Sequence, residues 1–260
     1  MEVTHLLAPN PGRYTGPGTN TWILESDAAV LVVDPGPIIA EHADAIVEAI
    51  GDREVAGVLV THTHPDHAPL ANPLAGELGV AALGHAPGPE FEPDRRLDEG
   101  DTVDFGGETL TVLHTPGHAT DHLCFVVGTE MFTGDHIMGG STVMIEDLSA
   151  YLTQLRRLRD LALTRLYPGH GPTIEHPHEV IDHYIDHRLE RERQIVAAIE
   201  AGEETIGDVV GLVYADVAVE LHPLAAHSVA AHVRKLVDDG RVDFKDTEDL
   251  WNAVVRLAAP

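Results

Sequence analysis

Three imidazoles and one carboxylate fall within six residues in the stretch Thr61-His62-Thr63-His64-Pro65-Asp66-His67, directly behind the apolar run Val58-Leu59-Val60. Nitrogen and carboxylate oxygen are the donors that zinc-class cations prefer. Pro65 in their midst prevents a regular helix, so the donors sit on a turn. With 18 histidines in the chain some clustering arises by chance. Chance does not explain why three further turns downstream carry the same donor types: Thr115-Pro116-Gly117-His118, Gly134-Asp135-His136 and Pro168-Gly169-His170-Gly171. The candidate ligands are therefore His62, His64, Asp66, His67, His118, Asp135 and His170, with Asp66 and Asp135 as the catalytic carboxylates.

Each of these turns follows a strand-like run. Residues 21–24 and 29–33 read as strands, and the second ends at Asp34-Pro35-Gly36-Pro37. Apolar residues at helical spacing over 38–50 predict a helix, and a strand over 55–60 delivers the chain to the histidine cluster. Leu70, Leu74 and Leu78 predict a helix closed by Gly79, after which residues 84–107 read as loop. Strands are predicted at 108–113, 122–127, 130–133 and 165–167, with an amphipathic helix through Leu152, Leu155, Leu158 and Leu161. Four strands that end by presenting His or Asp at one sheet edge would build a single site on rigid supports.

From about residue 177 the pattern becomes helical, through Val180, Ile181, Tyr184, Leu189, Ile195 and Val196. Thr205 is placed to cap a helix over 206–213, Ser228 to cap another, and Arg241-Val242-Asp243-Phe244 reads as a strand. Helix, helix and small hairpin outline a winged-helix-like unit. The expected organisation is a catalytic domain over 1–176, a connecting helix over 177–200 and the C-terminal unit over 201–260.

Composition narrows the function. The 260 residues hold 16 Lys and Arg against 43 Asp and Glu, a formal net charge of −27. Such a surface repels polyanions and disfavours nonspecific nucleic-acid binding. The near absence of lysine fits adaptation to high salt, though a GC-rich genome accounts for it equally well. The lone cysteine, Cys124, excludes an intrachain disulfide and sits in an apolar run as a core residue. No run approaches the roughly 20 apolar residues that span a bilayer. The start lacks a signal-peptide pattern, so a cytoplasmic protein that does not meet membranes is expected.

The motifs His-x-His-x-Asp-His at 62–67, Thr-Pro-Gly-His at 115–118, Gly-Asp at 134–135 and Pro-Gly-His-Gly at 168–171 resemble the metallo-β-lactamase superfamily, over residues ~15–175. Asn10-Pro11-Gly12, Gly18-Thr19-Asn20-Thr21, Asp121-His122, Tyr167, and the tail residues Tyr184, His187-Arg188 and Arg191-Glu192 are similar to its beta-lactamase-like protein 2 group. The resemblance implies an α/β, four-layer αβ/βα sandwich with a small helical winged-helix-like domain. It also implies two metal ions, usually zinc, with iron or manganese as alternatives. His62, His64 and His118 would hold one ion and Asp66, His67 and His170 the other, with Asp135 bridging. A water shared by both ions would become the attacking hydroxide.

Asp34 is expected to orient a ligand histidine, or only to shape its turn. His122 and His187 are candidate substrate contacts, with strand capping and a solvated helix face as their plainer roles. The favoured activity is hydrolysis of a small ester or thioester. Animal members of the resembled group cleave single-stranded RNA, so an endoribonuclease is the alternative; residues 203–260 hold 11 acidic against 5 basic residues, a poor phosphate footprint. A DNA-reading tail around 228–235 offers only two adjacent cations, Arg234 and Lys235. Packing against the catalytic domain, over the mouth of the site, or in a homodimer interface is a more economical use of the tail.

Overall fold

The computed structural model describes residues 1–140 and 142–259. The chain opens with β1 (Glu2–Leu7), β2 (Asn20–Glu25) and β3 (Ala29–Val33), followed by α1 (Ala40–Ile50) and β4 (Glu54–Leu59). Next come α2 (Ala71–Leu78), β5 (Ala82–Gly84), β6 (Arg95–Arg96), β7 (Thr102–Phe105) and β8 (Glu108–His114). Then follow β9 (Leu123–Val127), β10 (Glu130–Gly134), α3 (Leu148–Arg159) and β11 (Arg165–Pro168). The tail is α4 (Pro177–Glu200), α5 (Ile206–Val213), α6 (His222–Asp238), β12 (Val242–Phe244) and β13 (Val255–Leu257).

Strands β1 to β6 form one sheet in sequential order, and a second sheet runs β11-β10-β9-β8-β7. The central strands of both sheets are buried on both faces, which is why β3 and β9 read as unbroken apolar runs rather than as alternation. Leu31 and Val33 point inward with Trp22, Leu59, Phe105, Val112, Phe125 and Phe132, filling the space between the sheets. Val30 and Val32 point the other way, onto Ile46 and Ile50 of α1 and Leu74 of α2. Against the outer face of the second sheet, Leu152, Leu155 and Leu158 of α3 pack with Ile181 and Ile185 of α4. The result is the expected four-layer helix–sheet–sheet–helix sandwich.

Three expectations need correction. The 84–107 segment is not all loop: β6 and β7 lie within it, fixed by pairing with β5 and β8 rather than by local pattern. A strand at the N-terminus, β1, was not expected, because its polar, half-exposed sequence gains order only from its antiparallel register with β2. Ser228 caps nothing. Helix α6 already begins at His222, with Pro223 in its first turn, and the Ser228 hydroxyl accepts a hydrogen bond from Tyr214 Oη at 3.1 Å. Thr205 does cap α5, its Oγ1 accepting from Asp208 N–H.

The tail has its own core of Val209, Val210, Val229, Val233, Leu236 and Val255. Ile195, Val196 and Ile199 from the last turns of α4 belong to it, so α4 is shared between the sandwich and the tail. Among the described residues no helix is long and apolar enough to cross a membrane.

Candidate metal centre

All seven candidate ligands converge. The 62–67 turn follows β4, His118 follows β8, Asp135 follows β10 and His170 follows β11, all at the ends of strands on one edge of the sandwich. His62 Nε2, His64 Nδ1 and His118 Nε2 stand 2.9, 3.0 and 3.3 Å from one another. Beside them, Asp66 Oδ2 is 3.1 Å from His170 Nε2, and His67 Nε2 is 3.3 Å from the same atom. Asp135 faces both groups: Oδ1 is 3.4 Å from His67 Nε2 and 3.5 Å from His170 Nε2, while Oδ2 is 3.7 Å from His118 Nε2.

Donors on a tetrahedral zinc shell of about 2.0–2.1 Å radius are themselves about 3.3 Å apart, so each group is already spaced as a coordination shell. Asp135 Oδ1 is a buried carboxylate oxygen with no hydrogen-bond partner among the described residues. An orphaned anionic oxygen amid imidazoles is costly without a cation to face. The donor set is suited to a two-ion site, for which His62, His64 and His118 form one group of donors and Asp66, His67 and His170 another.

The supports behind the ligands fix which nitrogen each ring presents. Asp34 Oδ2 accepts from His67 Nδ1–H at 2.9 Å and from Thr61 Oγ1–H at 2.7 Å, while Asp34 Oδ1 accepts from Thr61 N–H. With its proton committed to Asp34, the Thr61 hydroxyl can only accept from His62 Nδ1–H at 3.0 Å. One carboxylate thus turns the Nε2 lone pair of a histidine in each group toward the centre. Asp34 adopts a left-handed φ of 51°, an uncommon conformation held by those three bonds. The expected role of Asp34 as an orienting residue has its geometry here, and it reaches two histidines. His118 Nδ1–H donates to Met144 O at 2.7 Å and His170 Nδ1–H to Gly18 O at 3.1 Å.

The charges divide likewise. Burial, reinforced by the neighbouring histidines, holds His62 well below the usual imidazole range, and burial also lowers His118 against the pull of Asp135. For His67 burial acts downward, yet Asp135 and Asp34 outweigh it and raise the ring well above its ordinary value. His170 is raised too, burial being overcome by Asp66 and Asp135. Burial would raise Asp66 and Asp135, but the bond from His170 together with the His67 charge holds Asp66 low, and the charge of His67, joined by those of His170 and His118, holds Asp135 low. Burial thus pulls His62 and His118 toward the uncharged form that ligates a cation, whereas the carboxylates beside His67 and His170 pull those rings toward the protonated form, from which a cation must displace the proton.

Of the two expected substrate contacts, His122 does not face the mouth. His122 is fully buried: its Nδ1–H donates to Thr115 Oγ1 at 2.9 Å, and its Nε2 accepts from Asp135 N–H at 3.2 Å. It holds the Asp135 backbone from behind, and no substrate can reach it. His187 sits half-buried on α4 with its ring stacked on His183, a neighbour on the same helix rather than a member of the cluster. His136 is likewise buried, and burial pushes it down to about 3. Sequence reasoning assigned no role to Asn20, whose side-chain amide donates to Pro168 O and Gly171 O and so fastens the His170 turn. Its place in Gly18-Thr19-Asn20-Thr21, beside the other motifs, was the only available signal.

Residues 14–170 match the Metallo-beta-lactamase superfamily, and residues 205–251 match the Beta-lactamase associated winged helix domain. The chain belongs to the metallo-beta-lactamase superfamily. It is a metal-dependent hydrolase of that fold, with a C-terminal winged helix. It is 37% identical over 253 residues to a Beta-lactamase-like protein 2 homolog of Caenorhabditis elegans, covering 93% of this chain and 86% of that protein. An atrochrysone carboxyl ACP thioesterase of Aspergillus novofumigatus is 32% identical over 278 residues, covering 99% and 85%. A metallo-beta-lactamase family protein of Thermus thermophilus superposes with a TM-score of 0.80 at 21% identity, over 98% of each chain, which shows the shared fold.

Proposed function

We propose that this superfamily member uses a dinuclear site to hydrolyse a small thioester or related ester. The observation that carries the proposal is Asp135, with one oxygen toward each ligand group and Oδ1 otherwise unpartnered. His62, His64 and His118 would hold one divalent cation and Asp66, His67 and His170 a second, with zinc, iron and manganese all suited to these donors, and the chemistry such ions would supply is a lowered pKa for a water and polarisation of the substrate's acyl oxygen. The protein's own part is positioning. Asp34 and the carbonyls of Gly18 and Met144 hold four of the imidazoles in the ligating tautomer. Asp66 has a side chain 23% exposed, against 8% or less for Asp135, His67, His118 and His170, so it marks the open side of the cluster. Its Oδ2 faces His170 Nε2 within the ligand group, leaving Oδ1 to accept the proton of the attacking water as that water's oxygen bonds to the carbonyl carbon, the C–S bond breaks and the thiolate departs.

The kinship with an ACP thioesterase favours a thioester over a phosphodiester. The charges of the winged helix do as well. Arg234 pairs with Asp246, Lys235 with Glu192 and Asp239, Arg241 with Glu192 and Arg256 with Glu204, so four of its cations are already neutralised. That leaves little for an RNA backbone.

The test is to assay zinc-loaded protein on an acyl-pantetheine thioester, S-lactoylglutathione and single-stranded RNA, beside D66A and D135A. Thioester turnover lost in both variants is expected. RNA cleavage without thioester turnover, or an active D135A, would overturn the assignment.

A further inference from the structure

Between Asp135 and α3 the chain makes a long loop that bonds to both ligand groups from outside. The carbonyl of Met144 accepts from His118 Nδ1–H at 2.7 Å, and Gly139 N–H donates to the carbonyl of His170 at 3.0 Å. Gly117, next to His118, accepts from the N–H groups of Glu146 and Asp147 at 2.8 and 3.0 Å. What keeps this loop in place comes from two helices. Tyr151 of α3 donates its hydroxyl to His136 O at 2.9 Å, and Tyr184 of α4 donates to Met138 O at 3.1 Å. Arg188, one turn further along α4, donates from Nη2 to Val143 O at 2.6 Å.

Arg188 is only 4% exposed, and its guanidinium lies 5.9 Å from the centroid of the Tyr151 ring. Burying a permanent cation is costly, and its Nε has no hydrogen-bond partner among the described residues. A charge-assisted bond to a carbonyl is roughly twice as strong as a neutral one. The carbonyl it grips is adjacent to the one that sets the tautomer of His118.

We propose that Arg188 is a positioning residue for the metal centre: through the Val143–Met144 peptide it holds the acceptor that turns His118 Nε2 toward His62 and His64. This rests on the dinuclear reading above. It assigns a part in the hydrolytic site to the long helix shared with the winged-helix unit, although that helix contributes no ligand. The guanidinium acts on one ligand group and leaves the Asp66, His67 and His170 group to its own supports.

The experiment is a titration of metal-stripped protein with Zn2+ against a chromophoric chelator, for the parent, R188M, R188K, H118A and the H118A/R188M double variant, with melting temperatures in parallel. Methionine keeps much of the apolar stem's packing and removes the donor. The parent is expected to bind two ions. R188M should bind one of them roughly tenfold more weakly, as loss of an outer partner does, with the second affinity unchanged. R188K, which retains a donor, should recover part of the loss. In the H118A background R188M should add less than about twofold, because the two act on one ligand. A parent binding fewer than two ions overturns the metal reading and this inference together. A parent binding two, with R188M binding both as tightly, or losing both equally in step with its melting temperature, overturns the inference alone.

Discussion

Replacing Gly169 with alanine would press a methyl group against two members of the metal cage and the backbone of Gly134. A Cβ on Gly169 would stand 2.5 Å from Asp135 Oδ1 and 2.6 Å from His67 Cε1. Ordinary contact begins at about 3.5 Å, so the two neighbours must yield by about 1 Å between them and the backbone. Neither gives freely, because Asp135 N–H is held by His122 and His67 Nδ1 by Asp34. Gly169 is not in the left-handed region, so the effect is one of space rather than of backbone strain. Overpacking of this kind costs about 1–3 kcal/mol. For a chain of this size that is a fall of roughly 2–12 °C in melting temperature. Metal ligands tolerate displacements of only about 0.2 Å, so metal affinity should fall by at least about 10–100-fold, more steeply than stability alone would suggest. The control is Gly211→Ala in α5, where a Cβ meets nothing within 4 Å and a helix gains up to about 1 kcal/mol. Metal titration and thermal melts of both variants decide the matter. A G169A protein that takes up two ions at parental affinity would refute the geometry described for Asp135 and His67.

Other outcomes follow from the same contacts. Asp34→Asn can keep the left-handed turn, since asparagine tolerates it, but removes the anionic acceptor behind His62 and His67; metal affinity should fall about 10–100-fold with little change in far-UV circular dichroism, and unchanged affinity would deny Asp34 its orienting role. Burial pushes the Cys124 thiol up to about 12, so a thiol reagent at pH 8 should leave the native protein unlabelled and react in full once it is unfolded. Screening of the −27 charge should raise the melting temperature between 0.1 and 2 M KCl, each 1 kcal/mol gained appearing as roughly 2–4 °C; a flat or falling curve would remove high salt as the reason for the acidic surface.

The ligands were legible because they are side chains of uncommon type at turns that punctuate apolar strands. Their orienting partners were legible only when they too were side chains in a marked turn, as Asp34 is. The acceptors for His118 and His170 are backbone carbonyls of Met144 and Gly18, which no sequence pattern distinguishes from other carbonyls. His122 misled for a related reason. Its spacing of four from His118 suggests a shared surface, but the chain turns between them and strand β9 begins at Leu123, sending the ring inward beneath Asp135. Short strands such as β6 exist only through their partners, so local propensity could not reveal them. Arg188 stood within a tail segment noted for its likeness to the group, and its role depends on a loop 45 residues away in sequence.

The most direct measurement is an anomalous-difference map from a crystal of zinc-loaded protein, collected on both sides of the zinc edge. The account predicts two peaks roughly 3.5–4 Å apart, one against His62, His64 and His118, the other against Asp66, His67 and His170, with Asp135 between them. A single peak, or none within reach of Asp135, would contradict it.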